Sequence, residues 1–314
     1  RMKRRLLLLL VAAVFPAGLP LAAQGAELST YFERAASAEY EGDQVLTCKT
    51  PVGIRDTAGV VQQKDGVIYV RAGVEGAPTI SAGAGTLAAQ GPGASASSIQ
   101  FAAATKAPSG YTMSGEEQVT YLGRLADRVS LSIGGKSRVR LTFDRETGAL
   151  LRSETLNVDG SVYCTSKLTS FNAGTPDVAS GAAATGRKVV KDFDFSATVF
   201  PAKLGAFRRL DVYGWNDVGE MAYYSDGFFA FALYHVEARF SVESISDARE
   251  WEGKSGTYWR WFLPGTTTLV WDTSEGGMAL HGDLPVDMQN VVLAGLPAPS
   301  NTNLLSRILE LFGG

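Results

Sequence analysis

The chain is poor in the residues that usually do chemistry. Its 314 residues include two histidines, two cysteines and five methionines, and charged side chains make up 19%. His235 and His281 stand far apart, each in a strand-like segment with no carboxylate at ligand spacing, so both read as structural and no metal centre is expected. The cysteines, Cys48 and Cys164, are too distant for a C-x-x-C pair. There is no G-x-S-x-G elbow and no phosphate-binding P-loop. Serines are abundant, but none has a visible base partner, and the acidic pair Glu116-Glu117 reads as a solvated polar loop. The expectation is a protein without catalytic residues or cofactor. Beyond the first residues no apolar run could span a bilayer.

What is present begins with a targeting signal. Arg1, Lys3, Arg4 and Arg5 precede an apolar stretch, Leu6 to Leu21, broken by Pro16 and Pro20, and Ala23-Gln24-Gly25 offers a small-x-small cleavage pattern. Residues 1–25 thus read as a cleaved signal peptide. Without them, 25 basic residues face 32 acidic ones, near −7 against −3 for the whole chain. A net acidic export product is a poor candidate for nucleic acid.

The rest is strand-rich. Residues 27–38 carry Leu28, Tyr31, Phe32, Ala35 and Ala36 at helical spacing. A strand around Cys48 follows, then a hairpin about Lys64-Asp65-Gly66. From Arg124 to Phe171, alternating strands are separated by Gly-Gly, Glu-Thr-Gly and Asp-Gly, the marks of an antiparallel meander. Between them, residues 73–110 are dominated by Gly, Ala and Ser, a composition too small to fill a core, read as a flap or a tolerated insertion. Residues 173–186 read as a linker. The expected organisation is therefore a curled-sheet domain at 26–172, a linker at 173–186, a smaller β-rich domain at 187–297 and an amphipathic tail at 298–314. In the second domain an aromatic hairpin turns at Ser225-Asp226-Gly227, and Pro285 opens a short helix running to about Leu293.

Three groups of residues stand out. Lys136, Arg138 and Arg140 alternate along one strand and so share a sheet face, with Arg124 and Arg128 just before. On an acidic protein this stripe is a candidate for docking an acidic peptide or lipid phosphates, or else an ordinary solvated face. The rings of Tyr223, Tyr224, Phe228, Phe229, Phe231 and Tyr234 divide between core and a second, covered or binding, face. Cys48 lies in the first strand and Cys164 in the last strand of the meander; they pair if the sheet curls, and otherwise remain two buried thiols.

Taken together, these segments resemble the RseB/MucB family of periplasmic regulators of envelope-stress sigma factors. Arg124-Leu-Ala-Asp-Arg is similar to the family's entry into the meander, and Thr142-Phe-Asp-Arg-Glu-Thr-Gly-Ala-Leu-Leu-Arg to its next hairpin. Tyr224-Ser225-Asp226-Gly227-Phe-Phe-Ala-Phe is similar to a hairpin of its small domain, and His281-Gly-Asp-Leu-Pro to its closing segment. Phe143 stands where the family usually has Trp. The resemblance implies an α+β, mostly β fold, with a curled antiparallel sheet and helices inside the curve, like the carriers LolA and LolB, plus the smaller strand-rich domain. It implies a periplasmic protein that binds the periplasmic part of a single-span anti-sigma factor and shields it from site-1 proteolysis, with lipid or lipopolysaccharide as a relieving signal. It leaves room for a homo-oligomer. A lipid or lipoprotein carrier is the alternative.

Overall fold

The computed structural model describes residues 21–50, 53–72, 79–83, 86–89, 108–177, 199–215, 219–238, 248–263, 266–282 and 284–300. Residues 1–20 of the expected signal segment (1–25), most of the linker (178–186) and the tail from 301 onward lie outside them, as does the core of the Gly/Ala/Ser stretch at 90–107.

Helix α1 (Leu21–Ser37) begins earlier than the periodicity of 27–38 predicts. Its buried stripe is the expected one: Leu28, Phe32 and Ala35, one turn apart, are at most 6% exposed. At its end Gln63 donates to the carbonyls of Ala35 and Ala36, satisfying acceptors that no further turn would reach.

The first sheet contains β1 (Tyr40–Thr50), β2 (Gly53–Lys64), β3 (Val67–Ala72), β4 (Thr79–Gly83), β5 (Thr86–Ala89), β6 (Thr112–Tyr121), β7 (Arg124–Ile133), β8 (Lys136–Asp144), β9 (Leu150–Leu156), β10 (Val162–Leu168) and β11 (Asn172–Ala173). Their order is β5-β4-β3-β2-β1-β10-β9-β8-β7-β6, with β11 also on β1, and every pairing is antiparallel. The meander is β7 to β10, as its turn residues predict. Gly134 and Gly135 both adopt positive φ (58° and 74°), the backbone of a two-residue hairpin.

Three segments differ from the sequence reading. The small-residue stretch contains two strands, β4 and β5. Glu116 and Glu117 lie in β6 rather than in a loop; an edge strand has only one paired side, so its exposed polar composition mimics a loop. The chain past Phe171, read as linker, is pinned to β1 through β11.

The sheet is curled. Tyr121 of β6 donates to the carbonyl of Leu168 in β10 at 2.7 Å. Those strands are four places apart, about 19 Å in a flat sheet. Helix α1 lies inside the curve: its end meets Gln63 of β2, Tyr31 bonds Glu116 of β6 at 2.9 Å, and Phe32 packs on Phe143 of β8. The strand order sets β1 directly beside β10, with Cys48 opposite Cys164 and their Cα atoms 4.1 Å apart. The two form a disulfide, resolving the alternative left open by the sequence.

The second sheet follows residues 178–198. It comprises β12 (Lys203–Leu204), β13 (Phe207–Trp215), β14 (Gly219–Ser225), β15 (Ala230–Val236), β16 (Arg249–Gly253), β17 (Gly256–Leu263), β18 (Thr266–Thr273) and β19 (Gly276–Gly282). Their order is β12-β13-β14-β15-β19-β18-β17-β16. Helix α2 (Val286–Leu293), opened by Pro285 as expected, buries Gln289, Val292 and Leu293. One face of this sheet (Ala222, Tyr224, Phe231, Leu233, Leu269, Leu280) forms a core continuous with that under α1.

Candidate functional site

The two halves meet at the aromatic hairpin. Between β14 and β15 the chain turns through Ser225-Asp226-Gly227-Phe228-Phe229. Asp226 Oδ1 accepts the backbone N–H groups of Phe228 and Phe229 at 2.9 and 2.8 Å. The Ser225 hydroxyl accepts the Gly227 N–H at 2.9 Å and donates to the Phe229 carbonyl at 3.0 Å. These side-chain bonds to nearby backbone are why Ser and Asp favour turns. Gly227 has φ of 107°, and a Cβ there would lie 2.5 Å from the Pro108 side chain. Tyr224 stacks on Phe231 with centroids 5.0 Å apart, and its hydroxyl donates to the Pro201 carbonyl at 2.9 Å.

The turn is a plug. Phe228 at its tip packs edge-on against Tyr111 (4.9 Å between centroids) and near Phe32 of α1 (6.3 Å). The Tyr111 hydroxyl donates to Asp226 Oδ2 at 2.8 Å inside this contact. Burial pushes the Asp226 carboxyl above its ordinary value, while bonds from the N–H groups of Phe229 and Phe228 and from Tyr111 pull it back in part. Burial also raises the Tyr111 hydroxyl, reinforced by the Asp226 charge. Tyr224, Ser225, Asp226 and Gly227 therefore build a joint between the sheets.

The cationic stripe is distributed differently along its length. Arg124 is bidentate to Asp144 (2.9 and 3.0 Å), also reaches Glu146 at 2.6 Å, and lies over Phe171. Burial alone would raise the Asp144 carboxyl; hydrogen bonds from Arg124 and Thr147 hold it below its ordinary value. Arg128 pairs with Glu117 at 2.8 Å, and Arg140 with Glu154 at 3.6 Å. Arg138 is 2% exposed, lies over the Phe229 ring at 5.7 Å and pairs with Asp287 of α2 at 3.2 Å. It is thus a second tie between the halves. Lys136 is exposed at the β7–β8 turn.

Sequence reasoning missed the partners Tyr111 and Asp287. Tyr111 follows the small-residue stretch and has no patterned neighbours, and Asp287 looks like an ordinary acid in the first turn of a helix. The one available signal was the lone aromatic at a strand entry.

Inside the curve, α1, β1, β2, β9, β10 and the Phe228 tip enclose a cavity of about 50 Å³. Its lining mixes Leu46, Val61 and Ile68 with Gln44, Arg152 and Thr155. Pockets for drug-sized ligands run to hundreds of Å³. Among the described residues, no three His, Cys, Asp or Glu side chains gather as a metal site, and no helix is long and apolar enough to cross a membrane.

No family model matches this sequence, and no curated protein matches it. Solved structures do. A crystal structure of MucB is similar with 18% identity and a TM-score of 0.57, covering 88% of this chain and 98% of that one. MucB in complex with MucA(peri) is similar with 16% identity and a TM-score of 0.52, covering 88% and 99%. The MucA/MucB complex of Pseudomonas aeruginosa matches with 16% identity and a TM-score of 0.52, covering 87% and 99%. The chain has the fold of MucB across nearly the whole of that molecule.

Proposed function

We propose that this protein is a periplasmic regulator that binds the periplasmic part of a single-span anti-sigma factor and shields it from the protease that would begin its degradation. It acts by binding and transforms nothing. The observation that carries this reading is the shared fold with MucB along both sheets, including MucB bound to MucA(peri). The sequence motifs that resemble the family fall on structural positions: Arg124 and Asp144 tie the open end of the β7–β8 hairpin, and Tyr224 to Gly227 form the joint. The disulfide suits an oxidising compartment. The small, partly polar cavity favours this reading over a lipid carrier, because an acyl chain needs more room than Phe228 and α1 leave.

The test mixes the purified protein with the exported domain of a single-span membrane protein encoded beside a sigma factor. Co-elution of the two, together with slower cleavage of that domain by the site-1 protease, is expected. Separate elution with unchanged cleavage would overturn the reading.

A further inference from the structure

Among the described residues, Arg260 of the second sheet has no acid to answer it. Arg260 of β17 is half-buried, with its guanidinium 5.0 Å from the Trp251 ring centroid and 4.9 Å from that of Phe262. Among the described residues it has no hydrogen bond and no ion pair. Its cross-strand neighbour in β16 is Arg249, exposed and likewise without a carboxylate partner. Like charges opposite one another weaken a strand pair. Glu250 and Glu252 of the same strand alternate to the other face, and Glu252 is occupied by the Thr257 hydroxyl at 2.8 Å. Burial with no compensating charge lowers the Arg260 value. Two rings lie against the guanidinium while its N–H groups have no hydrogen-bond partner among the described residues, which leaves them available for bidentate contact with an oxyanion.

Strand β16 is also the last in its sheet, so its outer edge has no partner strand among the described residues. An added strand would lie about 4.8 Å from β16 and about 10 Å from β17. A glutamate on its matching face comes within the combined side-chain reach of Arg249 and Arg260. A small anion could use the arginines, but only a peptide can also use the open edge.

We propose that Arg249 and Arg260, with Trp251 and Phe262 as the clamp, bind an acidic segment of an extended peptide added along β16. This rests on the reading above for the biological role of that peptide, as the part of the partner that is gripped.

The test uses the full chain and three probes: an eight-residue peptide of alternating Thr and Glu, the same peptide with Gln for Glu, and inorganic phosphate. Intrinsic tryptophan fluorescence and calorimetry report binding. The expected result is at least tenfold tighter binding of the Glu peptide than of the Gln peptide. Arg249→Gln combined with Arg260→Gln removes that preference, and Arg260→Lys weakens it. The melting temperature of the double variant stays at or above that of the parent, since an unanswered half-buried charge is lost. Equal affinity for the two peptides, an unchanged preference in the double variant, or phosphate binding as tightly as the Glu peptide would each overturn the proposal. The co-elution test above is independent: a partner that never binds defeats the regulatory reading, whereas indifferent peptides defeat this site.

Discussion

The two sheets treat arginine in opposite ways. In the first, Arg124, Arg128, Arg138, Arg140 and Arg152, with Arg145 in the β8–β9 turn, all face carboxylates, so these arginines hold the fold together. In the second, Arg260 lies against two aromatic rings with no acid among the described residues, and Arg249 stands beside it. A paired arginine stabilises structure and offers little to a ligand. A stacked, unanswered arginine is a liability to the fold and an asset to recognition. The lesson is that a stripe of cations on one strand does not identify a binding face; the placement of acids decides.

The comparison can be broken most severely at the disulfide. Replacing Cys48 and Cys164 together by Ala frees a loop spanning a sequence separation of 116. The chain-entropy relation puts the loss at about 4–5 kcal/mol, read as a lower urea midpoint that the parent shares under reducing conditions.

Next comes the tie through Arg138. Asp287→Ala strands a buried guanidinium, which in a fully enclosed pair costs about 3–5 kcal/mol. Asp287 is 41% exposed, so about 2–3 kcal/mol is expected here. Adding Arg138→Met should recover most of it, because an apolar side chain needs no counter-ion. Failure of that rescue would mean that the pair fixes the angle between the sheets rather than merely neutralising charge.

Tyr111→Phe removes the only side-chain donor to Asp226 Oδ2 shown at the joint. The expected loss is about 1–2 kcal/mol by urea denaturation, with the far-ultraviolet spectrum unchanged.

The smallest effect is in pH. Asp226 has a raised folded value, so its contribution to stability is fully present below the ordinary carboxylate value of 3.8 and is lost as pH rises through the folded value. Asp144 has a lowered folded value, so its contribution is present above 3.8 and is lost as pH falls through the folded value. Asp226→Asn should therefore flatten the stability profile above pH 3.8, and Asp144→Asn the profile below it. Denaturation midpoints across pH 3 to 7 separate the two.

Much of the fold was legible because its signals are local. Gly134-Gly135 and Asp65-Gly66 announce hairpins, Leu28, Phe32 and Ala35 announce the buried helix face, and Pro285 announces the start of α2. The long-range pairing of β1 with β10 was legible only conditionally, since Cys48 and Cys164 meet only if those strands are neighbours. The site was less legible. Ser225-Asp226-Gly227 reads as a turn, but nothing local says that Phe228 will enter the other half. Alternation alone puts Lys136, Arg138 and Arg140 on one face, but the β7–β8 register shifts at Arg138, and Arg138 and Arg140 go to Asp287 and Glu154, residues distant in sequence. Arg260 was overlooked because a cation within Tyr-Trp-Arg-Trp-Phe looks like an interruption in a core strand; its significance, the lack of a nearby acid among the described residues, is visible only in three dimensions.

The most direct test sets the two sheets against each other on the intact partner. Calorimetry would measure binding of the anti-sigma factor's exported domain by the parent, by Arg128→Gln with Arg140→Gln, and by Arg249→Gln with Arg260→Gln. The account predicts that the first pair leaves affinity within about twofold while the second weakens it at least tenfold, a difference of about 1.4 kcal/mol or more. Loss of binding in the first pair with full retention in the second would contradict it.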